Sequence, residues 1–385
     1  MAPVLSPREI LENLVAFPTV STDSNLPLID WVEDYLSGHG ITCHRQYNET
    51  GEKAGLYAHV GPMVEGGVVL SGHTDVVPVE GQPWTSDPFT VTERDGKLFG
   101  RGTTDMKGFD ALAIWALVEA QQRGVSRPLQ IALSYDEEIG CEGVIPLIEA
   151  MGELPKACDV IVGEPTWLKT VSGHKGGLGY TVHMRGFEVH SSMLHTGVSA
   201  IMYGAKIIEW ANHMNDSLAA SEPAGMAAQF DPPYTNLHVG LIEGGTAHNI
   251  TARDCTFGFG YRVVPGESLD QWREVFLTKC REVEAQMQAV RPETSITATE
   301  IFALPPFAPE ENNTAEALVR QITGDNSEGF VSYGTEASHF QAAGYKTVVC
   351  GPGSIDVAHQ PDEYITVAQF EEGQRFMIRL LELLK

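Results

Sequence analysis

The chain has 385 residues, of which 43% are hydrophobic and 20% charged, a composition that supports a large core and argues against disorder. At roughly 150 residues per domain, that length predicts two or three domains. Lys and Arg number 25 against 51 Asp and Glu, a formal charge of −26, which argues against the basic face that nucleic acid or anionic lipid requires.

Ser6-Pro7-Arg8-Glu9 is a capping box with Pro at the first helical position, and Ile10, Leu11, Leu14 and Val15 follow at helical spacing. A second helix is expected from about residue 27 to 37, with Gly38 and Gly40 as stop signals. Short apolar runs then end in polar residues. Val68-Val69-Leu70 leads into Ser71-Gly72-His73, residues 129–133 lead into 134–138, and Val160-Ile161-Val162 leads into Gly163-Glu164. Between the first two runs lies a helix over about 106–123, apolar nearly all round and hence buried. Strands alternating with helices predict an α/β unit with a largely parallel sheet, whose ligands sit beyond the carboxyl ends of the strands.

The character changes near Gly176-Gly177. From there to about Arg291 the pattern reads strand, helix, strand, strand, helix, a two-layer α+β unit. The last part returns to α/β, with a strand at 347–350 and a final helix opened by Thr366-Val367-Ala368-Gln369. The expected boundaries are a first catalytic segment at 1–177, an inserted domain at 178–291 and a second catalytic segment at 292–385. No apolar run approaches the roughly 18 residues that span a bilayer. The opening residues show no basic start followed by an apolar stretch, so no signal peptide is expected. Cys43, Cys141, Cys158, Cys255, Cys280 and Cys350 are scattered without a C-x-x-C pair, which predicts free thiols and a reducing cytoplasm.

Polar residues recur at strand ends or in tight loops: His73, Asp75, Asp105, Glu137-Glu138, Glu164 and His359. Imidazole with carboxylate is the ligand set of zinc and related divalent ions. Two histidines and three carboxylates hold two metals if one carboxylate bridges, and such pairs clamp a nucleophilic water. Each fragment alone has a plain structural reading: a lone His-x-Asp, a solvated acidic pair, an aspartate capping a helix. Glu137-Glu138, however, directly follows an apolar strand, where a solvated charge run is not expected.

Ser71-Gly72-His73-Thr74-Asp75-Val76-Val77-Pro78 resembles the first signature of the co-catalytic dizinc aminoacylase and exopeptidase family. Gly100-Arg101-Gly102-Thr103-Thr104-Asp105-Met106-Lys107-Gly108 looks like its second, and Asp136-Glu137-Glu138-Ile139-Gly140 and Gly163-Glu164-Pro165-Thr166 like its third and fourth. Ala358-His359-Gln360-Pro361-Asp362-Glu363-Tyr364 is similar to its last. The segments follow family order and spacing over nearly the whole chain.

The resemblance implies a zinc-exopeptidase-like fold. A three-layer α/β catalytic domain would carry an inserted two-layer α+β lid and dimerisation domain, and the protein would be a homodimer through that insert. His73 and Glu164 would bind one metal ion, Glu138 and His359 the other, and Asp105 would bridge. Zinc is the expected ion, with cobalt also suited to the donors. Asp75 would accept a hydrogen bond from His73 and raise its basicity. Glu137 would be the general base for attack of a metal-bridging hydroxide on an amide carbonyl, and the peptide after Asp105 would be cis. His190, in Gly186-Phe187-Glu188-Val189-His190-Ser191-Ser192, would stabilise the oxyanion from the inserted domain, reaching the partner's site.

Gly244-Gly245-Thr246-Ala247-His248-Asn249 and Arg262 also fall in the insert. By resemblance Asn249 and Arg262 hold a substrate carboxylate, for which an Arg fork is suited, although Arg262 also reads as a surface strand residue. His248 departs from the small residue or Pro expected there. Thr335 and Glu336, in Gly334-Thr335-Glu336-Ala337, and Gly353, in the turn Gly351-Pro352-Gly353-Ser354, would line the substrate pocket, though both segments also read as plain turns.

Within the family, Ser172-Gly173-His174-Lys175-Gly176 and these two segments resemble most the members that deacetylate N2-acetyl-L-ornithine in arginine biosynthesis. A carboxylate at Glu336 would suit the ornithine ammonium, where a desuccinylase would want a basic residue. The expected substrate is therefore a small N-acyl amino acid. A desuccinylase, a broad aminoacylase, a dipeptidase and a carboxypeptidase are the alternatives.

Overall fold

The hydroxyl of Ser6 accepts the Glu9 N–H while the Glu9 carboxylate accepts the Ser6 N–H, and the helix Pro7–Val15 starts at that box. Its apolar stripe of Ile10, Leu11, Leu14 and Val15 is buried. The structure is a computed structural model and describes residues 3–385; Met1 and Ala2, which open the expected first catalytic segment, lie outside the described residues. The chain divides into two compact units. The first comprises the residues up to Ser172 with Pro309–Gly329 and Thr335–Lys385, and the second Gly173–Ala308 with Phe330–Gly334.

The large sheet has eight strands, and its middle is parallel. Leu129–Ser134, Val68–His73, Asp159–Pro165 and Lys346–Gly351 lie side by side in that order, all pointing the same way. The flanks are antiparallel: Ala54–Val60 and then Cys43–Tyr47 on one side, Val171–His174 joining Lys346–Gly351 on the other. Both faces are covered. Leu70, Ile131, Ile161 and Val348 share one apolar cluster with the helix Lys107–Arg123, and Val69, Ala132, Val162 and Val349, which face the other way, are also fully buried. On that second face a Cβ on Gly55 would lie 3.0 Å from Leu147 of the helix Val144–Met151. Two faces under helices make three layers, and the helix Lys107–Arg123 is apolar all round because it lies between the sheet and the helices Pro7–Val15 and Val367–Leu383. That helix approaches closely because residue 163 is glycine: a Cβ there would lie 2.0 Å from Cγ of Phe109.

In the second unit, Asn236–Gly244, Asp254–Val263, Gly176–Arg185 and Ser295–Leu304 form an antiparallel sheet in that order. One face, with Tyr180, Val182, Met184, Phe257 and Phe259, packs on the helices Ala200–Ala219 and Leu269–Gln288 through Ile207, Phe276 and Val283. The strand Ser295–Leu304 lies beyond the expected boundary at residue 291, and this unit runs on to Ala308. A register shift between Glu300 and Phe302 breaks the two-residue alternation that marks a strand in sequence. Among the described residues, no helix is long and apolar enough to cross a membrane.

Candidate active site

Adjacent parallel strands of the first unit deliver acidic and imidazole groups at their carboxyl ends. His73 closes Val68–His73, Glu164 lies near the end of Asp159–Pro165, and Glu137 and Glu138 open a short 3-10 turn after Leu129–Ser134. Asp105 stands two residues before the helix Lys107–Arg123, and its peptide to Met106 is cis. His359 comes from the loop before the strand Tyr364–Thr366, with a left-handed backbone at φ +62°.

These side chains converge. Asp105 Oδ1 lies 3.2 Å from His73 Nε2, and Oδ2 lies 3.2 Å from His359 Nε2. Glu138 Oε2 is 2.9 Å from His359 Nε2, while one oxygen each of Glu137 and Glu164 stands 4.0 Å from His73 Nε2. His73, Glu137 and Glu164 form one group able to hold a cation, and His73, Asp105 and Glu138 another. Among the described residues, Glu138 Oε1 and Glu164 Oε1 are buried without a hydrogen-bond partner.

The electrostatics follow from crowding. Burial pushes Glu137 and Glu164 well above the usual carboxylate range, and neighbouring carboxylates add to it; Glu138 is raised for the same reasons. Burial opposes ionisation of Asp105 too, but hydrogen bonds from His359 and His73 outweigh it and hold the carboxyl low. Hydrogen bonds to Asp105 and Glu138 raise His359 to about 10.

Asp75 lies beneath this cluster. His73 Nδ1 is 2.9 Å from the Asp75 carbonyl oxygen and 3.4 Å from its carboxylate, so the main chain is the nearer acceptor. The Asp75 carboxylate also accepts the Ser21 hydroxyl at 2.6 Å and the N–H groups of Glu137 and Glu138 at 3.2 and 3.4 Å, so it fixes the acidic turn as well.

Other expected residues sit differently. Glu336 is fully buried, its carboxylate accepting from the hydroxyls of Ser134 and Ser71 rather than facing an open surface. Thr335 is buried beside it, and its hydroxyl accepts the Ala337 N–H at 3.1 Å. Gly353, at φ +92°, packs on the Asp105 turn, where a Cβ would lie 2.1 Å from Thr104 Oγ1. His190 and Asn249 are neighbours in the second unit: the Ser191 N–H donates to the Asn249 carbonyl at 2.8 Å. His190 is exposed, and its Nδ1 accepts the Ser192 N–H. Arg262 is exposed elsewhere in that sheet, opposite Asn236 and Gly177.

Sequence reasoning passed over several supports. Lys53 reaches both the Ser21 carbonyl and the Asp136 carboxylate at 2.5 Å. The Cys141 thiol donates to Glu137 Oε1 at 3.3 Å. Arg101 and Glu363 stand inside the quoted signatures, but spacing does not reveal that they pair across the fold.

The profile of the peptidase family M20/M25/M40 matches residues 69–383. The chain is 34% identical over 387 aligned residues to the acetylornithine deacetylase of Myxococcus xanthus, covering 97% of this chain and 96% of that one. It is 34% identical to the acetylornithine deacetylase of Proteus mirabilis strain HI4320, covering 97% and 95%. Among solved structures, the M20 family metallo-carboxypeptidase Sso-CP2 from Sulfolobus solfataricus superposes with a TM-score of 0.79 at 16% identity, over 99% of each chain, a likeness of fold.

Proposed function

The chain belongs to peptidase family M20/M25/M40 and is a hydrolase acting on amide bonds, and from that premise we propose that it removes the acetyl group of N2-acetyl-L-ornithine to give L-ornithine and acetate. The observation that carries the substrate is the full-length likeness to two relatives named for that reaction. The step would supply ornithine to arginine biosynthesis.

The cluster fits two divalent ions. Its donors are imidazole nitrogen and carboxylate oxygen, which suit zinc and also cobalt, and among the described residues two of its buried oxygens have no hydrogen-bond partner. His73 and Glu164 would hold one ion, Glu138 and His359 the other, and Asp105 both, a reading supported by its two oxygens facing the two imidazoles. Bound there, the ions supply a water of lowered pKa and positive charge beside the carbonyl.

The protein's own groups do the rest. Glu137 takes the proton of the attacking water and returns it to the leaving nitrogen, a role supported by the burial that raises its proton affinity. Asp75 holds His73 and the Glu137-Glu138 turn in place. In this reading His190 serves the oxyanion at the partner subunit's site, Asn249 and Arg262 take a substrate carboxylate, and Thr335, Glu336 and Gly353 shape the pocket wall. Dimerisation through the second unit is supported by the exposed apolar side chains of Ile201, Met202, Leu241 and Ile242. A cytoplasmic setting is supported by the six free cysteines.

The test is acetate release from N2-acetyl-L-ornithine by metal-free protein, before and after two equivalents of zinc or cobalt. Metal-restored turnover is expected. Restored turnover of N-succinyl-diaminopimelate, N-acetylmethionine or a dipeptide alone would refute the substrate and leave the hydrolytic centre standing.

A further inference from the structure

His359 is an awkward ligand. Its side chain is 50% exposed, and it sits on a loop with left-handed backbone at His359 and at Asp362. A metal ligand needs the opposite, a side chain held at one position before the ion arrives. Thr85 holds Asp362 at the loop's far side, and a chain of polar contacts ties the His359 side to the Asp105 turn.

Glu363, 1% exposed, is its centre. One carboxylate oxygen accepts the N–H groups of Thr104 and Asp105 at 3.0 and 3.1 Å. The other accepts Nη1 of Arg101 at 2.7 Å, and Arg101 is equally buried. Arg101 Nη2 donates to Gln82 Oε1 at 2.6 Å, and Gln82 Nε2 donates to the carbonyl oxygen of His359 at 3.0 Å. The Arg101 guanidinium also lies over the Trp84 ring, 5.1 Å from its centroid, and Trp84 Nε1 donates to the same Gln82 oxygen. The main chain of Asp105 and that of His359 are thus tied by one relay of side chains that touch neither the bound ions nor the substrate in the reading above.

We propose that Glu363, acting through Arg101 and Gln82, is a positioning residue that fixes the separation of Asp105 and His359 and so sets the affinity of the ion those two residues share. The inference rests on the dimetal reading. In Glu363→Gln the side chain cannot do both jobs: its amide nitrogen turned to Arg101 opposes a donor with a donor, and turned to Thr104 and Asp105 it releases their N–H groups.

The experiment is stepwise cobalt(II) titration of metal-free protein, followed by visible absorption and by competition with a chelator, for wild type, Glu363→Gln and His359→Ala. His359→Ala identifies the step that uses that imidazole. In Glu363→Gln the same step should weaken by about 10–100-fold and its cobalt spectrum should change, while the other step moves far less. The melting temperature of the metal-free protein serves as the structural control. Wild-type affinity at that step overturns the proposal. So does equal weakening of both steps together with a lowered metal-free melting temperature, which would make Glu363 a structural residue only. If Glu363→Gln does not fold, Gln82→Ala decides, since Gln82 is only half-buried: a weakened His359 step supports the relay and an unchanged one refutes it. A wild-type protein that binds no cobalt at all would refute the dimetal reading itself, a distinguishable result.

Discussion

The hydroxyl of Ser134 donates to the fully buried carboxylate of Glu336, tying the end of a central parallel strand to the residue that precedes the helix Ala337–Ala342. Burial pushes this carboxyl up to about 7, and the Ser134 bond only partly offsets it. In the unfolded chain the same group titrates at its ordinary value of 4.5. Between those two values the folded state holds more protons, so the contribution of Glu336 to stability is full below pH 4.5 and is lost as pH rises through about 7. Glu336→Gln keeps an acceptor for Ser134 and does not titrate. The metal-free variant should therefore gain on wild type as pH rises, by on the order of 3 kcal/mol at pH 8. Urea unfolding at pH 5 and pH 8 reads this directly, and identical pH slopes for the two proteins would refute it.

Glu137→Gln separates the base from the ligands. The amide keeps the side chain's shape and cannot take a proton, so kcat should fall by about 10²–10⁴-fold. Metal content should stay at the wild-type level, since the proposed ligands are untouched. A variant with full activity would move the base elsewhere.

The clustering of acidic and imidazole side chains was legible from short local patterns, as was the fold class. His73, Asp105, Glu138, Glu164 and His359 each lie in a short signature, and all five converge in the first unit. Strand ends explain why: an apolar run followed at once by His or Glu is a local pattern. The N-cap signals at Ser6 and Thr366 are local too: the full capping box forms at Ser6, while at Thr366 only the hydroxyl accepts the Gln369 N–H, the Gln369 side chain accepting the Gly353 N–H instead. The strand Ser295–Leu304 was not legible, because its register shift breaks the alternation and its partner lies more than a hundred residues earlier. Glu336 shows the other limit. Sequence gives a carboxylate in a turn, but whether that carboxylate faces a ligand or two serine hydroxyls depends on strands far away in the chain. The relay from Glu363 to His359 was hidden for the same reason.

Gly163 lies against the ring of Phe109, next to Glu164, a proposed metal ligand. A methyl group there would stand 2.0 Å from Phe109 Cγ, so one of the two must move. Gly163→Ala should cost about 1–3 kcal/mol in urea unfolding through overpacking. Adding Phe109→Leu should recover part of the loss, because the two positions touch and their effects are not additive. Strictly additive losses would mean the helix Lys107–Arg123 does not pack on residue 163 as described.

His190 offers a test of the second unit's part in the reaction. It is exposed in the second unit, where its Nδ1 lies 3.3 Å from the Ser192 N and 2.8 Å from the Ser192 hydroxyl, so Nε2 is the ring nitrogen proposed to donate. A donor aimed at an oxyanion contributes most where charge develops, so His190→Ala should lower kcat by about 10²–10³-fold. KM should change little, and metal uptake should match wild type. His190→Asn keeps a donor and should retain part of the rate lost in His190→Ala, which a purely structural role does not predict. Near-wild-type turnover by His190→Ala would reduce His190 to a solvated loop residue and leave the oxyanion to the metal ions alone.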